Sequence, residues 1–153
     1  RPRELHDGAL PSGNSVAVMN LLRLSRATWD SELGEGGERL LKSIGNRASQ
    51  YPSSYAFLMA TLLYELGPSQ EIVLAGRVGE EDTERMLGMV RKICLPNAAV
   101  ILNSGEGGMG SLSRAVEGKG QVSGRATLHL CVDRTCLPPF TDPDNAERVL
   151  RRP

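Results

Sequence analysis

The sequence has no long hydrophobic run and no excess charge of either sign. No apolar run approaches the roughly 20 residues that a membrane-spanning helix requires, and residues 1–4, RPRE, contain no apolar core of a signal peptide. The 153 residues include 18 Lys and Arg against 18 Asp and Glu, which argues against a general binder of nucleic acids or of membrane surfaces. We therefore expect a soluble protein with neither kind of partner.

Cysteine is also scarce, since the chain contains only Cys94, Cys131 and Cys136. Three cysteines are too few, and odd in number, for a disulfide scaffold, and they fit a reducing compartment better. We therefore predict a cytoplasmic protein. The chain lacks an initiator Met, from which we expect a fragment or a processed product. The length excludes a large multidomain enzyme and allows one ordinary domain or two small ones.

The first part of the chain has the periodicity of helices. Apolar residues at helical spacing predict three helices, over residues 14–28, over 38–49 and from a start after Pro52 to about residue 66. A short polar side chain is expected to cap the first helix, and Ser53 or Ser54 the third. We expect the glycines within 34–37 to separate the first two helices. Gly67 and Pro68 should end the third, because Gly accepts a left-handed conformation and Pro cannot continue a helix.

The part that follows alternates short apolar runs with polar segments. The apolar runs predict strands over 71–75, 98–102 and 126–131, and the polar segments predict helices over 80–93 and from residue 141 to about 151. The last helix should start at Thr141-Asp142-Pro143, with a polar cap and Pro in its first turn. Continuous apolar strands that alternate with helices favour a parallel sheet with right-handed crossovers. The predicted fold class is therefore mixed α and β. A helical region over 1–67 precedes a small three-stranded, mainly parallel α/β unit over 68–153 with a C-terminal helix.

One glycine-rich segment, Gly105 to Gly110, matches the pattern G-x-G-x-x-G after a predicted strand. Asp133, near the end of the next predicted strand, is where a dinucleotide-binding motif has the acid that binds the ribose. Glu106, however, puts a negative charge where the phosphates would lie. A lone match of this kind is a weak signal. We therefore favour a surface loop and predict no cofactor.

The pair Cys131 and Cys136, separated by four residues, has three interpretations. Both side chains can serve in packing, the pair can form a disulfide or act in thiol redox chemistry, or it can bind a metal. Zinc would need two more ligands, and only His129 and Cys94 are available. We favour packing, keep the redox role as an alternative and predict no metal.

The segment from Asp7 to Ser15 is dense in turn formers and polar side chains ahead of an apolar helix. Helix capping and loop closure are the favoured role. The more specific alternative is a pocket in which Asp7, Ser12 and Asn14 hold a polar ligand such as a sugar. Asp7 would then act as a general acid or base. No catalytic residue can be assigned, because neither histidine has a neighbouring Ser or Cys in a triad arrangement.

Four segments, in order along the chain, resemble one known family. They are DGALPSGNSVAVMNLLRLSR from Asp7, EIVLAG from Glu71, PNAAV from Pro96, and a tail in which Cys131 and Cys136 precede Thr141-Asp142-Pro143. These segments are similar to the thioredoxin-domain-containing family related to spermatogenesis-associated protein 20. His129 departs from the family's tail, which usually has Tyr at that position.

The resemblance implies a fold and partners. Members of the family look like an N-terminal thioredoxin-like domain followed by a large helical toroid, similar to the six-hairpin glycosidases and the N-acylglucosamine 2-epimerases. Residues 1–67 would then be the end of an (α/α)6 toroid. The implied partners are the N-terminal remainder of the same protein and a small-molecule or sugar ligand at Asp7, Ser12 and Asn14.

Three hypotheses about function follow, and they leave open whether the protein is an enzyme. The first is a C-terminal structural region that also binds a ligand. The second is part of a carbohydrate-active enzyme, either a sugar epimerase or a glycosidase-like hydrolase. The third is a thiol redox role for Cys131 and Cys136. The first is preferred, because no self-sufficient catalytic set is visible in 153 residues.

Overall fold

Three α-helices form the first of two units, which are divided between Gly67 and Pro68. The computed structural model describes residues 5–105 and 113–151. Within them, the first unit consists of α1 (Gly13–Thr28), α2 (Ser31–Gln50), a short 3-10 helix (Pro52–Tyr55) and α3 (Ala56–Leu66). The first helix lies close to its predicted bounds, whereas the second and third start at other residues.

Helix α1 begins where the polar segment was expected to cap it. Ser12 is the N-cap residue, and its hydroxyl accepts a hydrogen bond from the Ser15 amide at 3.1 Å. This bond satisfies one of the amides that the first turn of a helix leaves without a partner. The helix ends at Trp29, which adopts a left-handed conformation with φ 56°.

Helix α2 contradicts the prediction that glycines separate it from α1. It begins at Ser31 and runs through Gly34 and Gly37, because Asp30 caps it by accepting hydrogen bonds from two first-turn amides at 2.9 and 3.3 Å. A Cβ at Gly37 would lie 2.8 Å from Cδ2 of Leu22 on α1. Here glycine permits close packing of two helices and does not form a turn.

Helix α3 also starts differently from the prediction. Pro52–Tyr55 forms the 3-10 helix, so neither Ser53 nor Ser54 caps α3, and Tyr55 at its N-cap provides no side-chain hydrogen bond. At the other end Gly67 terminates the helix as expected. It does so in an extended conformation with φ −75°, not in the left-handed one.

The core of the first unit lies among its three helices. Its buried residues are Val18, Leu22, Ile44, Ala48, Tyr55, Leu58 and Tyr64. They come from α1, α2, the 3-10 helix and α3. Each helix therefore contributes one apolar face to a shared interior, which is the usual source of helix stability in a small domain.

The second unit is built on a four-stranded mixed sheet. Its strands are β1 (Gln70–Ala75), β2 (Ala98–Asn103), β3 (Thr127–Val132) and β4 (Thr135–Cys136), in the order β2-β1-β3-β4. β1 pairs with β2 in parallel and with β3 antiparallel, and β4 is antiparallel to β3. The mixed α and β class is confirmed. The prediction of three mainly parallel strands is wrong.

The path of the chain explains this difference. Asn103 at the end of β2 and Thr127 at the start of β3 both pair with Ala75 of β1. The chain therefore enters β3 at the same end of the sheet where it left β2. A parallel β3 would require a crossover back to the opposite end. The described part of this connection contains only a short 3-10 helix, Arg114–Val116.

Two helices cover one face of this sheet. They are α4 (Glu81–Arg91) and α5 (Pro143–Leu150), both near their predicted positions. The core between them and the sheet includes Ile72, Leu74, Met86, Val90, Leu128, Leu130 and Leu150. α5 begins with the expected polar cap, Asp142, followed by Pro143. Throughout the described residues, no helix is both long enough and apolar enough to span a membrane.

Candidate functional site

Asp7 joins the starts of two helices in the first unit. Its Oδ1 accepts a hydrogen bond from the Ser12 amide at 2.8 Å, and its Oδ2 accepts from the amides of Phe57 and Leu58 at 2.9 and 3.1 Å. The Asp7 amide donates to the Ser54 carbonyl at 2.8 Å. The carboxylate therefore caps α3 from about 50 positions away in the sequence and fixes the loop ahead of α1.

The electrostatics of Asp7 agree with this capping role. Burial raises the pKa of Asp7, but hydrogen bonds from the Ser12 amide, the Ser15 hydroxyl and the Leu58 and Phe57 amides lower it, so that the pKa lies below its ordinary value. A carboxyl group with a lowered pKa is ionised near neutral pH. It is a poor general acid, which would need a raised pKa.

The other two predicted ligand-binding residues lie at the start of α1. Ser12 is buried, and its hydroxyl shares a 2.9 Å hydrogen bond with that of Ser15. Asn14 is half-buried at the second position of the helix. The structure brings Asp7 and Ser12 together, but their polar atoms bond within the unit. The geometry therefore favours the capping interpretation of these two, and ligand binding stays a prediction.

An apolar groove lies between α2 and α3. Its volume is about 540 Å³. Leu41, Gly45, Leu58, Met59, Leu62 and Leu66 line it, with Glu38, Lys42, Ser49 and Glu65 among its polar residues. Next to it on α3, Leu63 is 70% exposed, and Leu66 within the lining is 74% exposed. Contiguous apolar surface of this kind marks interaction sites on soluble domains.

Arg26 holds the end of α3 beside this groove. Its guanidinium donates a 2.7 Å hydrogen bond to the Tyr64 carbonyl and stacks 3.9 Å from the centre of the Tyr64 ring. It also lies 3.6 Å from the Glu65 carboxylate. Burial raises the pKa of Glu65, Arg26 lowers it and Glu38 raises it again, with a net rise. The groove wall is thus fixed by a cation that bonds to backbone and ring together.

Cys131 and Cys136 form a disulfide across the β3–β4 hairpin, with their Cα atoms 3.9 Å apart. The favoured packing interpretation of this pair is therefore wrong. Cys131 is fully buried, whereas Cys136 is exposed and Cys94 is an exposed free thiol. No metal-binding group of three or more His, Cys, Asp or Glu side chains occurs in the described part of the chain. The cytoplasmic location inferred from the cysteine count stays a prediction.

A buried carboxyl group and a buried amine lie on the disulfide side of the sheet. Glu71 of β1 is directly opposite Cys131 in the antiparallel pairing, and it is 2% exposed. Lys119 is 8% exposed and donates a hydrogen bond to the Ala115 carbonyl. Burial lowers the pKa of Lys119, while the negative charges of Glu71 and Glu117 raise it, with a net lowering. The sequence alone did not indicate this pair.

The dinucleotide interpretation fails on the sheet topology. Gly105 follows the carboxyl end of β2, but Asp133 lies at the opposite end of the sheet, because β3 is antiparallel to β1. There Asp133 accepts a 2.9 Å hydrogen bond from the Ser69 amide. A ribose-binding acid would have to lie at the same end as the glycines. The rest of the glycine motif, residues 106–110, is outside the described residues.

A charged cleft of about 530 Å³ lies at the start of α4. Its charged residues are Arg77, Glu80, Glu81, Asp82, Arg85 and Arg125. Asp82 accepts a 2.6 Å hydrogen bond from the Ala126 amide. This bond lowers the pKa of Asp82 against the opposing effect of desolvation. The positive charges of the three arginines equal the negative charges of the three acids, so the cleft has no net charge that would select an anionic or a cationic ligand.

These features define a chain with a helical unit that exposes an apolar groove and an α/β unit that carries a disulfide between a buried and an exposed cysteine. In sequence, the chain is similar to spermatogenesis-associated protein 20. It is 30% identical to the proteins of Mus musculus and of Rattus norvegicus, in each case over 99% of this chain and 20% of the relative. It is 28% identical to the protein of Homo sapiens, over 98% of this chain.

The chain thus spans about a fifth of the length of the curated relatives that it matches. The similarity covers both units, which supports the family resemblance over the whole chain. No family model matches the sequence, and no solved structure matches it.

Proposed function

We propose that this chain is the C-terminal region of a larger protein, and that its helical unit completes a larger helical domain. The groove between α2 and α3 is the observation that carries this proposal. In the larger protein, a helix from the remainder of the same polypeptide occupies that groove. The relatives supply the length that this requires, because the aligned region covers only 20% of them.

The lining of the groove has the spacing that helix packing uses. Leu62 and Leu66 are four positions apart on α3 and lie in one row above Leu58, which is buried at the floor of the groove. Rows at this spacing pack as ridges into the grooves of a second helix at interaxial distances of about 8–10 Å. On the facing side, Gly45 of α2 has no atom within 4 Å of where its Cβ would be. The open space above it admits a neighbouring helix.

The partner helix is expected to be amphipathic. The lining of the groove is apolar, while Glu38, Lys42 and Glu65 at its edges carry charge. Glu38 and Lys42 form an ion pair at 2.9 Å. A helix with a leucine-rich stripe and polar flanks would bury the stripe in the groove and leave the flanks in water. In this proposal the partner belongs to the (α/α)6 toroid that the family resemblance implies, and a thioredoxin-like domain lies further toward the N-terminus.

Two measurements test the proposal. An antibody raised against this chain should detect a natural gene product several times heavier than 16.5 kDa. In that product, Leu62→Gln with Leu66→Gln should increase cleavage by a protease, because the groove loses its partner. Leu24→Gln is the matched control, since Leu24 is an exposed leucine of α1 outside the groove. A natural product of the same mass as this chain, or equal cleavage of the double variant and the control, would contradict the proposal.

A further inference from the structure

The Cys131–Cys136 disulfide joins residues that are already neighbours. The two cysteines are five positions apart and directly opposite each other on β3 and β4. The entropy that a disulfide removes from the unfolded chain grows with the length of the loop that it closes. This bond therefore restrains the unfolded chain less than a bridge between distant segments would. Stabilisation of the fold is a weak explanation for its presence.

Hydrogen bonds hold the hairpin in place independently of the disulfide. The Leu137 amide donates to the Leu130 carbonyl at 2.9 Å. In the turn, the Asp133 amide donates to the Ser69 carbonyl at 3.0 Å, and the Ser69 amide donates to Oδ1 of Asp133 at 2.9 Å. These bonds tie both the strands and the turn to the sheet. The hairpin can therefore keep its position when the sulfur–sulfur bond is broken.

The two sulfurs differ in access. Cys131 is 0% exposed, whereas Cys136 is exposed on the short edge strand β4. Exchange begins when a thiolate attacks one sulfur of a disulfide, and it requires access to that sulfur. Only Cys136 offers this access. Cys131 is then the sulfur that leaves.

Glu71 and Lys119 lie on the same side of the sheet as Cys131. Directly opposite residues of an antiparallel pair have Cβ atoms about 4.5–5.5 Å apart on the same face of the sheet, which places the buried Glu71 side chain beside that of Cys131. The buried amine of Lys119 interacts with Glu71. Because a sulfur leaves as a thiolate, and a buried site slows that departure, exchange is expected to be slower here than at a disulfide with two exposed sulfurs.

We propose that Cys131–Cys136 is a redox-active disulfide that accepts electrons from dithiols, with Cys136 as the attacked sulfur and Cys131 as the leaving sulfur. A thiolate of the dithiol bonds to the Cys136 sulfur, the bond between Cys136 and Cys131 breaks, and Cys131 leaves with the electron pair and is protonated. The second thiolate of the dithiol then attacks the other sulfur of the dithiol, which is bonded to Cys136 in the mixed disulfide. Cys136 leaves with the electron pair and is protonated. The dithiol becomes a disulfide, and both cysteines become thiols after two electrons and two protons have moved.

The first test is reduction of the native chain. All proteins carry Cys94→Ser, so that the exposed free thiol does not react. Dithiothreitol is added, free thiols are alkylated and counted by mass, and circular dichroism follows the fold. The proposal expects two alkylated thiols with an unchanged spectrum, and recovery of the disulfide with glutathione disulfide. A bond that is reduced only as the chain unfolds, or two thiols that do not reoxidise, would overturn it.

The second test separates the two sulfurs. Cys131→Ala leaves the exposed Cys136, and Cys136→Ala leaves the buried Cys131, each in the Cys94→Ser background. With glutathione disulfide, the first variant should form a mixed disulfide about tenfold faster or more than the second, because access governs thiol reactivity. Equal rates, or faster reaction of Cys131, would contradict the assigned roles. If Cys131→Ala does not fold, the reduction of the native pair still decides whether the bond exchanges.

Discussion

In the first unit, α3 buries Leu58 and Tyr64 but leaves Leu63 and Leu66 in water. In the second unit, the large apolar residues that remain exposed are scattered. They are Val78, Val122 and Leu137, which lie outside the helices and strands, and Val100 on the edge strand β2. Scattered apolar residues are normal on soluble proteins, whereas a contiguous patch indicates a binding surface. The comparison therefore supports placing the proposed partner helix on the helical unit, and the α/β unit has a different chemical feature, its disulfide.

The largest effects are expected where the two units are alike, in their cores. Leu22→Ala in the first unit and Leu74→Ala in the second should each lower the free energy of unfolding by about 2–5 kcal/mol, because each leaves a cavity. Both leucines are buried within their own clusters. Urea unfolding measures the loss, and fluorescence of Trp29, the single tryptophan, reports on the first unit.

Leu63→Ala is the control for this pair. Since Leu63 is 70% exposed, its removal should change the free energy of unfolding by no more than about 0.5 kcal/mol. If Leu22→Ala costs no more than Leu63→Ala, the helical unit has no core of its own. The comparison between the two units would then fail.

A smaller loss is expected from Asp7, whose carboxylate accepts three backbone hydrogen bonds in the first unit. Asp7→Ala removes the acceptor for the amides of Ser12, Phe57 and Leu58. Hydrogen bonds to a charged group contribute about 1.5–3 kcal/mol. Asp7 is only half-buried, so hydrogen bonds to water replace part of this energy. We expect the free energy of unfolding to fall by about 1–3 kcal/mol in total.

This variant also separates capping from catalysis. If Asp7 serves as a cap, Trp29 fluorescence in urea should show the lowered stability of the variant. Any activity of the natural protein should then fall only in proportion to the folded fraction. Asp7→Asn keeps the size of the side chain and one acceptor, and should recover part of the stability. Full stability with abolished activity in either variant would instead support the ligand-binding hypothesis.

Local signals predicted the elements well because their causes lie within a few residues. Periodic leucines, the Ser12 cap and the Asp142-Pro143 start each act inside one helical turn, and the corresponding helices are present. One signal was available but missed. Residues 127–132 alternate apolar and polar or small side chains, a pattern typical of antiparallel strands. The hairpin that sets Cys131 opposite Cys136 had no such signal, because its two turn residues, Asp133 and Arg134, are not the Asn-Gly or Asp-Gly pair typical of a tight turn.

Other features could not be predicted, because their causes lie far apart in the sequence. The amide partners of Asp7 are in α3, about 50 positions away. Gly37 resembles a turn former until Leu22 of another helix is placed beside it. Burial of Glu71 and Lys119 depends on how the segment from Ser113 to Lys119 lies on the sheet. Tertiary contact, which periodicity does not describe, decides each of these.

Alanine substitutions at two glycines of α2 are expected to change the free energy of unfolding in opposite directions. Gly37→Ala places a Cβ 2.8 Å from Cδ2 and 3.0 Å from Cγ of buried Leu22. Overpacking costs about 1–3 kcal/mol, and the better helix propensity of Ala returns about 0.5–1 kcal/mol. We therefore expect a net loss of about 1 kcal/mol in urea unfolding.

Gly45→Ala should stabilise the isolated chain by about 0.5–1 kcal/mol, because no atom lies within 4 Å of its Cβ position. In the natural protein that gain should disappear if a helix occupies the groove. An equal gain in both proteins would mean that the groove stays open. The same substitution thus distinguishes a covered groove from an uncovered one.

The smallest expected effect is the response to acid, which should be shared by both units. The pKa values of Asp7 and Asp82 are lower in the folded chain than their ordinary 3.8. A lowered folded pKa contributes stability that is present above the unfolded pKa and is lost as pH falls through the folded one. The urea midpoint should therefore decline below about pH 4. Asp7→Asn should flatten this decline in Trp29 fluorescence and Asp82→Asn should not, because only Asp7 caps the helices of the unit that contains the tryptophan.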